Sequence, residues 1–406
     1  MGDPLIATDE ASARDAIGWA VSEKTPIEIM GGGTKRALGR PIQVARGLSL
    51  AGLSGIEDYE PSELVMTAWA GTSLAEIEAT LAANGQRLAF EPPDYRALLG
   101  GAADGATIGA VFSCNLAGPR RTAAGAARDH LLGIRGVNGR GEIFKAGGRV
   151  VKNVTGFDLC KLVAGSFGTL AALTQVTFRV FPIPEAEATV LVIGLLEQDA
   201  VAVMIEGAQS PHEVSGAAHL PAGIAALSGV SAVGGAGRAV TALRVEGPAP
   251  SVVHRVAALR RCFAPLGEIE VLEAEGSQAF WREVRDVTPF AGDSRLVWRL
   301  AVPPAGGAAV VAEVGRRIEA EAILDRGGGC VWLATAQKAE EAAGAVRDAA
   351  ATVGGSATLI RAPEAVRSHA DVFPPLAAGL RDLTARVKRA FDPLGLLNPG
   401  RMYAGL

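Results

Sequence analysis

The sequence predicts an α+β protein of more than one domain, and three observations carry that expectation. The chain has 406 residues, enough for two or three hydrophobic cores. Segments with helical periodicity alternate with short apolar runs of strand length. Glycine reaches 51 residues, above the usual ~7 %. It falls in clusters at 31–33, 100–101, 147–148, 234–235, 327–329 and 354–355 rather than at a fixed period. Such clusters mark tight backbone loops and exclude collagen. No internal repeat is visible in the sequence.

Each element has its own signal. DEASARDAIGWAVSEK (9–24) predicts an opening helix, with Ala13, Ile17, Ala20 and Val21 on one stripe and acidic residues at its start. PIEIMGGGTKRALGRP (26–41) predicts a short strand running into a glycine turn. LVMTAWAGTSLAEIEATLAANGQRLAF (64–90) predicts strand, turn, helix, strand. Thr72 or Ser73 can cap that helix, Glu76 follows Ser73 at capping-box spacing, and Gly85 can end it. LLGIRGVNGRGEIFKAGG (131–148) predicts a hairpin turning at Asn138-Gly139, because that pair tolerates the left-handed backbone of a two-residue turn. VKNVTGFDLCKLVAGSFGTLAALTQVTF (151–178) fits neither a plain helix nor a plain strand. Asp158 can cap a helix through Leu162, Gly165 can end it, and a strand follows in LTQVTFRVFPIP. Pro182 and Pro184 then mark a domain boundary. Beyond it, TVLVIGLL, TALRVEG and RLVWRLAV read as strands. SVVHRVAALRRCFAPLG, SQAFWREVRDV and AAVVAEVGRRIEAEAILD read as helices of a second α+β domain. A last helix, LAAGLRDLTARVKRAF, precedes DPLGLLNPGRMY.

Composition limits the function classes. The formal net charge is −4 and no long run of Lys or Arg occurs, which argues against nucleic acid as a partner. The first residues lack a basic segment followed by an apolar one, and the longest charge-free stretch, 214–237, holds six Gly and a Pro. A cytoplasmic protein is therefore expected, in contact with a membrane only through partners. Segment 214–237 reads either as a partner interface or as an ordinary loop. The four cysteines, Cys114, Cys160, Cys262 and Cys330, are far apart in sequence, so neither a zinc site nor an iron–sulfur cluster is expected in this chain.

Three glycine-rich motifs bear on chemistry. Gly31-Gly32-Gly33-Thr34-Lys35 can aim successive amides into one concavity and add a hydroxyl and a charge, which suits a phosphate; a plain glycine turn is the alternative. It is not a Walker loop, since the sequence contains no Gly-Lys dipeptide, nor a G-x-G-x-x-G, since Arg36 stands three residues after Gly33. In ATIGAVFSCNLAGPRR (106–121), small residues at 109, 110, 113, 117 and 118 would let an extended ligand lie close to the chain; a buried turn with two surface arginines is the alternative. AGSFG (164–168) imitates a nucleophile elbow, yet no strand leads into Ser166.

GGGTK, TIGAVFSCNLAGPRR, RDHLLGIRGVNGRGE, GGRVVKNVTGFDLCKLVAGSFGTLAALT and FDPLGLLNPGR occur in that order. Together they resemble the PCMH-type FAD-binding flavoproteins, the vanillyl-alcohol oxidase/p-cresol methylhydroxylase family, and within it most resemble the glycolate oxidase E-subunit branch. The resemblance implies two α+β subdomains clasping an extended FAD, a second α+β cap domain, and a C-terminal segment returning to the flavin. The implied boundaries are 1–184, 185–340 and 341–406. It implies that Gly31, Gly32, Gly33, Thr34 and Lys35, with Thr107, Ile108, Gly109, Ser113, Gly118, Pro119 and Arg120, hold the pyrophosphate. Gly165, Ser166, Gly168, Thr169 and Leu173 would pass beside the adenosine half. Asp129, Gly156 and Asp158 are expected in the same cofactor site, and Asn398 on the flavin side, where Arg401 replaces the family's Lys. Residues 30–36 contain no His, the usual point of covalent attachment, so FAD is expected to be non-covalent.

One family feature is absent. Hydroxy-acid dehydrogenases of this type carry an H-G-D-G-N-like motif, yet none of His130, His212, His219, His254 and His369 is followed by Gly. No catalytic or metal-binding residue can be named. The resemblance thus implies an FAD-binding subunit of a 2-hydroxy acid oxidase complex, partnered by a catalytic FAD subunit and an iron–sulfur subunit. The alternatives are a self-sufficient FAD-linked 2-hydroxy acid dehydrogenase and a scaffold that has lost FAD.

Overall fold

A computed structural model describes residues 3–101, 105–149, 156–336 and 339–406. The chain divides into two compact units. The first comprises 1–117, 125–183 and 371–406, and the second 118–124 and 184–370.

The first unit carries two sheets. Strands β1 (Leu5–Ile6), β2 (Ile27–Met30) and β3 (Arg46–Ser49) form a parallel sheet in the order β1-β3-β2. The helix Glu10–Ser22 covers it. Asp9 caps that helix in a capping box with Ser12, and Ala13, Ile17 and Ala20 are buried, as the sequence stripe predicts. Strands β4 (Ile56–Glu60), β5 (Val65–Trp69), β7 (Leu131–Asn138), β8 (Ile143–Gly147) and β9 (Ala171–Arg179) form an antiparallel sheet in the order β4-β5-β9-β7-β8. Central β9 is buried along all but its last residue, polar Thr174, Gln175 and Thr177 included. Its hydroxyls are satisfied internally: Thr177 pairs with Thr67 at 2.9 Å and Thr174 donates to Glu10 at 2.8 Å. Phe90, Phe112, Leu131 and Phe178 fill the core beneath. A two-residue ladder joins β6 (Gln86–Arg87) to β10 (Phe181–Pro182).

The β7–β8 hairpin turns differently from the expectation. The Gly141 amide donates to the Asn138 carbonyl, and the left-handed residue is Gly141 (φ +76°), not Gly139. Gly139 faces the C-terminal segment instead: its amide donates to Phe391, and a Cβ there would lie 2.4 Å from Asp392 Oδ1.

The second unit is one antiparallel sheet with helices. Its strands are β11 (Ala186–Ile193), β12 (Gly216–Leu220), β13 (Val240–Gly247), β14 (Glu268–Glu273), β15 (Leu296–Ala301), β16 (Ala320–Asp325), β17 (Cys330–Thr335) and β18 (Ser356–Arg361). They lie in the order β14-β11-β13-β12-β16-β17-β15-β18. Each half follows one pattern. Strand, helix, two strands, helix, strand gives the order 4-1-3-2 in β11–β14 and again in β15–β18. The crossover helices are Glu197–Gln209 and Ala249–Phe263 in the first half, Gly307–Arg317 and Ala339–Thr352 in the second. This is a ferredoxin-like unit used twice, joined where His219 pairs with Leu324. The repeat is one of topology.

Three further expectations are corrected here. AAVVAEVGRRIEAEAILD is helix only to Arg317; its second half is β16, which the apolar Ala322, Ile323 and Leu324 bury in the sheet. The expected boundary at 340/341 moves to about 370, because Ala339–Thr352 and β18 belong to the second unit. Segment 214–237 holds β12, buried at every residue, so that part is sheet interior rather than interface.

Candidate flavin cleft

Within the first unit a cleft runs between the parallel and antiparallel sheets, with about 670 Å3 of atom-free space, part of it open to solvent. Strand β2 delivers Ile29 and Met30 to its floor and then breaks into Gly31–Gly33. A side chain would be obstructed at two of these positions, by a side chain at one and by backbone at the other. A Cβ on Gly31 would lie 2.3 Å from Thr107 Oγ1, and one on Gly32 would lie 2.1 Å from the Gly105 carbonyl. Gly33 has φ +82°, a conformation that L side chains resist. Thr107 and the helix Ile108–Ser113 form the facing wall, where a Cβ on Gly109 would lie 2.6 Å from Ala70 Cβ. The turn at Phe167-Gly168, with Ala171 and Leu173 of β9, forms the other wall; Asn398 and Arg401 come from the C-terminal segment.

The cleft is positive and protein-lined. Lys35 is buried, with its ammonium 5.8 Å from the Tyr95 ring centre. Arg36 reaches Glu28 through two hydrogen bonds of 3.1 and 2.7 Å. Burial pushes the Cys114 thiol up to about 11, against the opposing pull of Lys35 and Arg401. Thr107 Oγ1 is buried without a hydrogen-bond partner among the described residues, an expensive arrangement unless a ligand completes it. A slot of bare backbone beside a buried cation and an unpartnered hydroxyl fits an extended dinucleotide whose anionic pyrophosphate lies against the glycine loop.

The structure brings together Gly31, Gly32, Gly33, Thr34, Lys35, Thr107, Gly109, Ser113, Gly168, Leu173 and Asn398 in this lining. It places the remaining expected residues elsewhere. Ile108 is buried in the hydrophobic core. Gly118, Pro119 and Arg120 belong to the second unit, where the Arg120 guanidinium donates to Glu246 at 2.9 and 2.8 Å. Asp129 accepts from the Ala126 amide, and Asp158 caps Leu159–Val163 by accepting from the Lys161 amide. Gly156 (φ +81°) follows residues 150–155; the VVKNVT part of its motif lies outside the described residues. Gly165, Ser166 and Thr169 line a separate apolar groove on the far side of the 165–170 turn. Sequence reasoning missed Leu50, Ala70, Cys114 and Phe167, which reach the cleft from strand ends and turns without a local signal.

None of the five histidines lines the cleft. His130 packs between Phe90 and Phe181, and His219 is fully buried in the second unit's sheet. Among the described residues, no three His, Cys, Asp or Glu side chains gather as a metal set, and no helix is long and apolar enough to cross a membrane.

Fold and cleft define an FAD-binding flavoprotein of the PCMH type. Residues 5–147 match the FAD binding domain family. The fold is similar to that of p-cresol methylhydroxylase with substrate bound (TM-score 0.74, 14 % identity, 99 % of this chain and 88 % of that one). Along the sequence, the chain is 33 % identical to glycolate oxidase subunit GlcE of Escherichia coli K12, over 97 % of both chains. It is 29 % identical to glycolate oxidase subunit GlcD of Bacillus subtilis over 48 % of this chain and 40 % of that one. The chain belongs to the glycolate oxidase GlcE family of FAD-dependent oxidoreductases.

Proposed function

We propose that this chain is the FAD-carrying subunit of a glycolate-type 2-hydroxy acid oxidase complex, acting between a catalytic flavoprotein partner and an iron–sulfur partner. The observation that carries this reading is a similarity to glycolate oxidase subunit GlcE over 97 % of both chains, in a cleft whose described lining residues include no proton acceptor suited to neutral pH. Among the described residues, the ionisable groups of the lining are Lys35, Arg36, Cys114 and Arg401, and none is a base for a substrate hydroxyl. Bound FAD supplies the two-electron acceptor that oxidation of a 2-hydroxy acid to a 2-oxo acid requires. The chain's own residues hold the cofactor: the glycine loop offers amides, Lys35 a charge and Thr107 a hydroxyl. Non-covalent binding is supported by a lining without His or Tyr and by a Cys114 thiol that stays protonated at neutral pH. We place the complex in the cytoplasm, touching the membrane only through partners.

The test is a steady-state dye-reduction assay with glycolate. The isolated chain should be yellow, should release its flavin into the supernatant on acid precipitation, and should turn over poorly. Lack of a general base alone costs about 10²–10⁴ in rate. Co-expression with both partners should restore turnover. Ordinary enzyme rates from the isolated chain, about 1–10³ per second, would establish a self-sufficient dehydrogenase instead.

A further inference from the structure

The C-terminal segment ties both walls of the cleft. After the helix Ala378–Phe391 the chain runs beside β2, where the Ile27 amide donates to Leu396 and Ile27 pairs in parallel with Leu397. Lys388 Nζ donates to the carbonyls of Leu397 and Thr169, each at 2.7 Å, and to Asp392 at 2.7 Å. Asn398 then uses its whole amide group inside the protein. Its Oδ1 accepts from the Ile29 amide at 2.7 Å, and its Nδ2 donates to the carbonyls of Phe167 at 2.7 Å and Ile29 at 3.3 Å. One side chain thus joins the strand that feeds the glycine loop to the turn that forms the opposite wall. Arg401, also buried, acts on the loop itself. Its Nη1 donates to the carbonyls of Arg36 and Arg40, each at 3.1 Å, and its Nη2 to that of Lys35 at 3.5 Å. Its own carbonyl accepts from the Arg40 amide at 2.9 Å. Glu28 lies 3.7 Å from its guanidinium.

We propose that Asn398 and Arg401 are positioning residues: a clasp that sets the separation of the cleft walls and the path of residues 35–40, and thereby sets the affinity for FAD. The inference rests on the reading of the cleft as the FAD site. It gives the arginine a task that a lysine cannot take over. A guanidinium presents several donors in a fixed fork, so it can hold carbonyls four residues apart at once; an ammonium is a compact point charge on a flexible stem. It also separates Asn398 from the residues that contact the ligand, because its donors and acceptor are already engaged.

The experiment measures FAD binding to the apoprotein by flavin fluorescence. Alongside it, amide hydrogen exchange and the apoprotein's melting temperature are recorded, for the native chain and for Arg401→Lys, Asn398→Asp and the exposed control Arg389→Lys. Asp tolerates the left-handed backbone at 398 (φ +45°) and keeps an acceptor for Ile29, while losing the donors to Phe167 and Ile29. FAD affinity should weaken about tenfold in both clasp variants, with the control unchanged. Amides of Arg36, Leu38 and Arg40 should exchange faster in Arg401→Lys, whose global melting should move little; Asn398→Asp, which sets a buried carboxylate against two carbonyls, should also melt lower. Native affinity in Arg401→Lys would overturn the clasp and leave a role for charge alone; faster exchange spread through the whole first unit would overturn it in favour of general destabilisation. If the native chain binds no FAD, the cleft reading fails, and the exchange pattern in the apoprotein alone decides the clasp.

Discussion

At the residue scale, the cleft is built by what is missing from side chains. Gly32 and Gly168 illustrate two reasons for glycine. Gly32 has no room, with the Gly105 carbonyl 2.1 Å from any Cβ; Gly168 has both a left-handed backbone (φ +71°) and Asn398 Nδ2 at 2.7 Å from a Cβ. Gly32→Val or Gly168→Val should therefore abolish FAD retention, read as loss of visible absorbance after gel filtration. The obstruction arises first against the chain's own atoms, Gly105 and Asn398, so the cleft lining must shift before a ligand enters. Full FAD occupancy in both variants would place the pocket elsewhere. Arg120 makes the opposite case. Its sequence neighbourhood points to a phosphate, but its side chain is buried against Glu246, with Glu187 at 3.8 Å. Arg120→Ala should cost about 1–3 kcal/mol of stability, because it removes charged hydrogen bonds to Glu246 while Arg244 remains 3.7 Å from that carboxylate, and should leave the affinity for FAD unchanged. Tenfold weaker FAD binding without loss of stability would restore it to the cofactor site.

At the element scale, the second unit's sheet holds a titratable group at its seam. His219 on β12 pairs across to Leu324 on β16, the point at which the two ferredoxin-like halves meet. Its Nδ1 lies 2.9 Å from Thr241 Oγ1, and Nε2 has no hydrogen-bond partner among the described residues. Burial lowers its pKa to about 4, opposed by the charge of Glu197. The folded state therefore binds a proton less readily than the unfolded one. Stability from this group is full above its unfolded value of about 6.5 and is lost as pH falls from there toward 4. A shift of that size is worth about 3 kcal/mol. Urea unfolding should show that fall between pH 7 and pH 4.5, and His219→Gln should flatten it. Identical pH slopes in both proteins would refute the assignment.

At the scale of the whole molecule, the similarity to glycolate oxidase subunit GlcE covers 97 % of both chains, so it spans the residues of the cleft and of the second unit alike. Overlap with GlcD is confined to 48 % of this chain. The net charge of −4 is small for a chain of 406 residues, so the charge of the whole molecule supplies little long-range steering.

What the sequence determined by itself is local. Asp9, Ser73 and Asp158 cap helices because an Asp or Ser side chain satisfies amides three residues ahead. The clustered glycines marked the loop of the cleft, since bare backbone is a property of those residues alone. Tertiary structure alone decided the rest. Arg120 meets Glu246 across 126 positions, and Asn398 meets Ile29 across 369; no spacing rule reaches so far. The turn of the β7–β8 hairpin shifted its left-handed residue from Gly139 to Gly141, and the C-terminal chain packs against Gly139. The repeated strand order of the second unit stayed hidden for a similar reason: burial demands apolar residues of suitable size, not particular ones, so one strand order can be built from different residues.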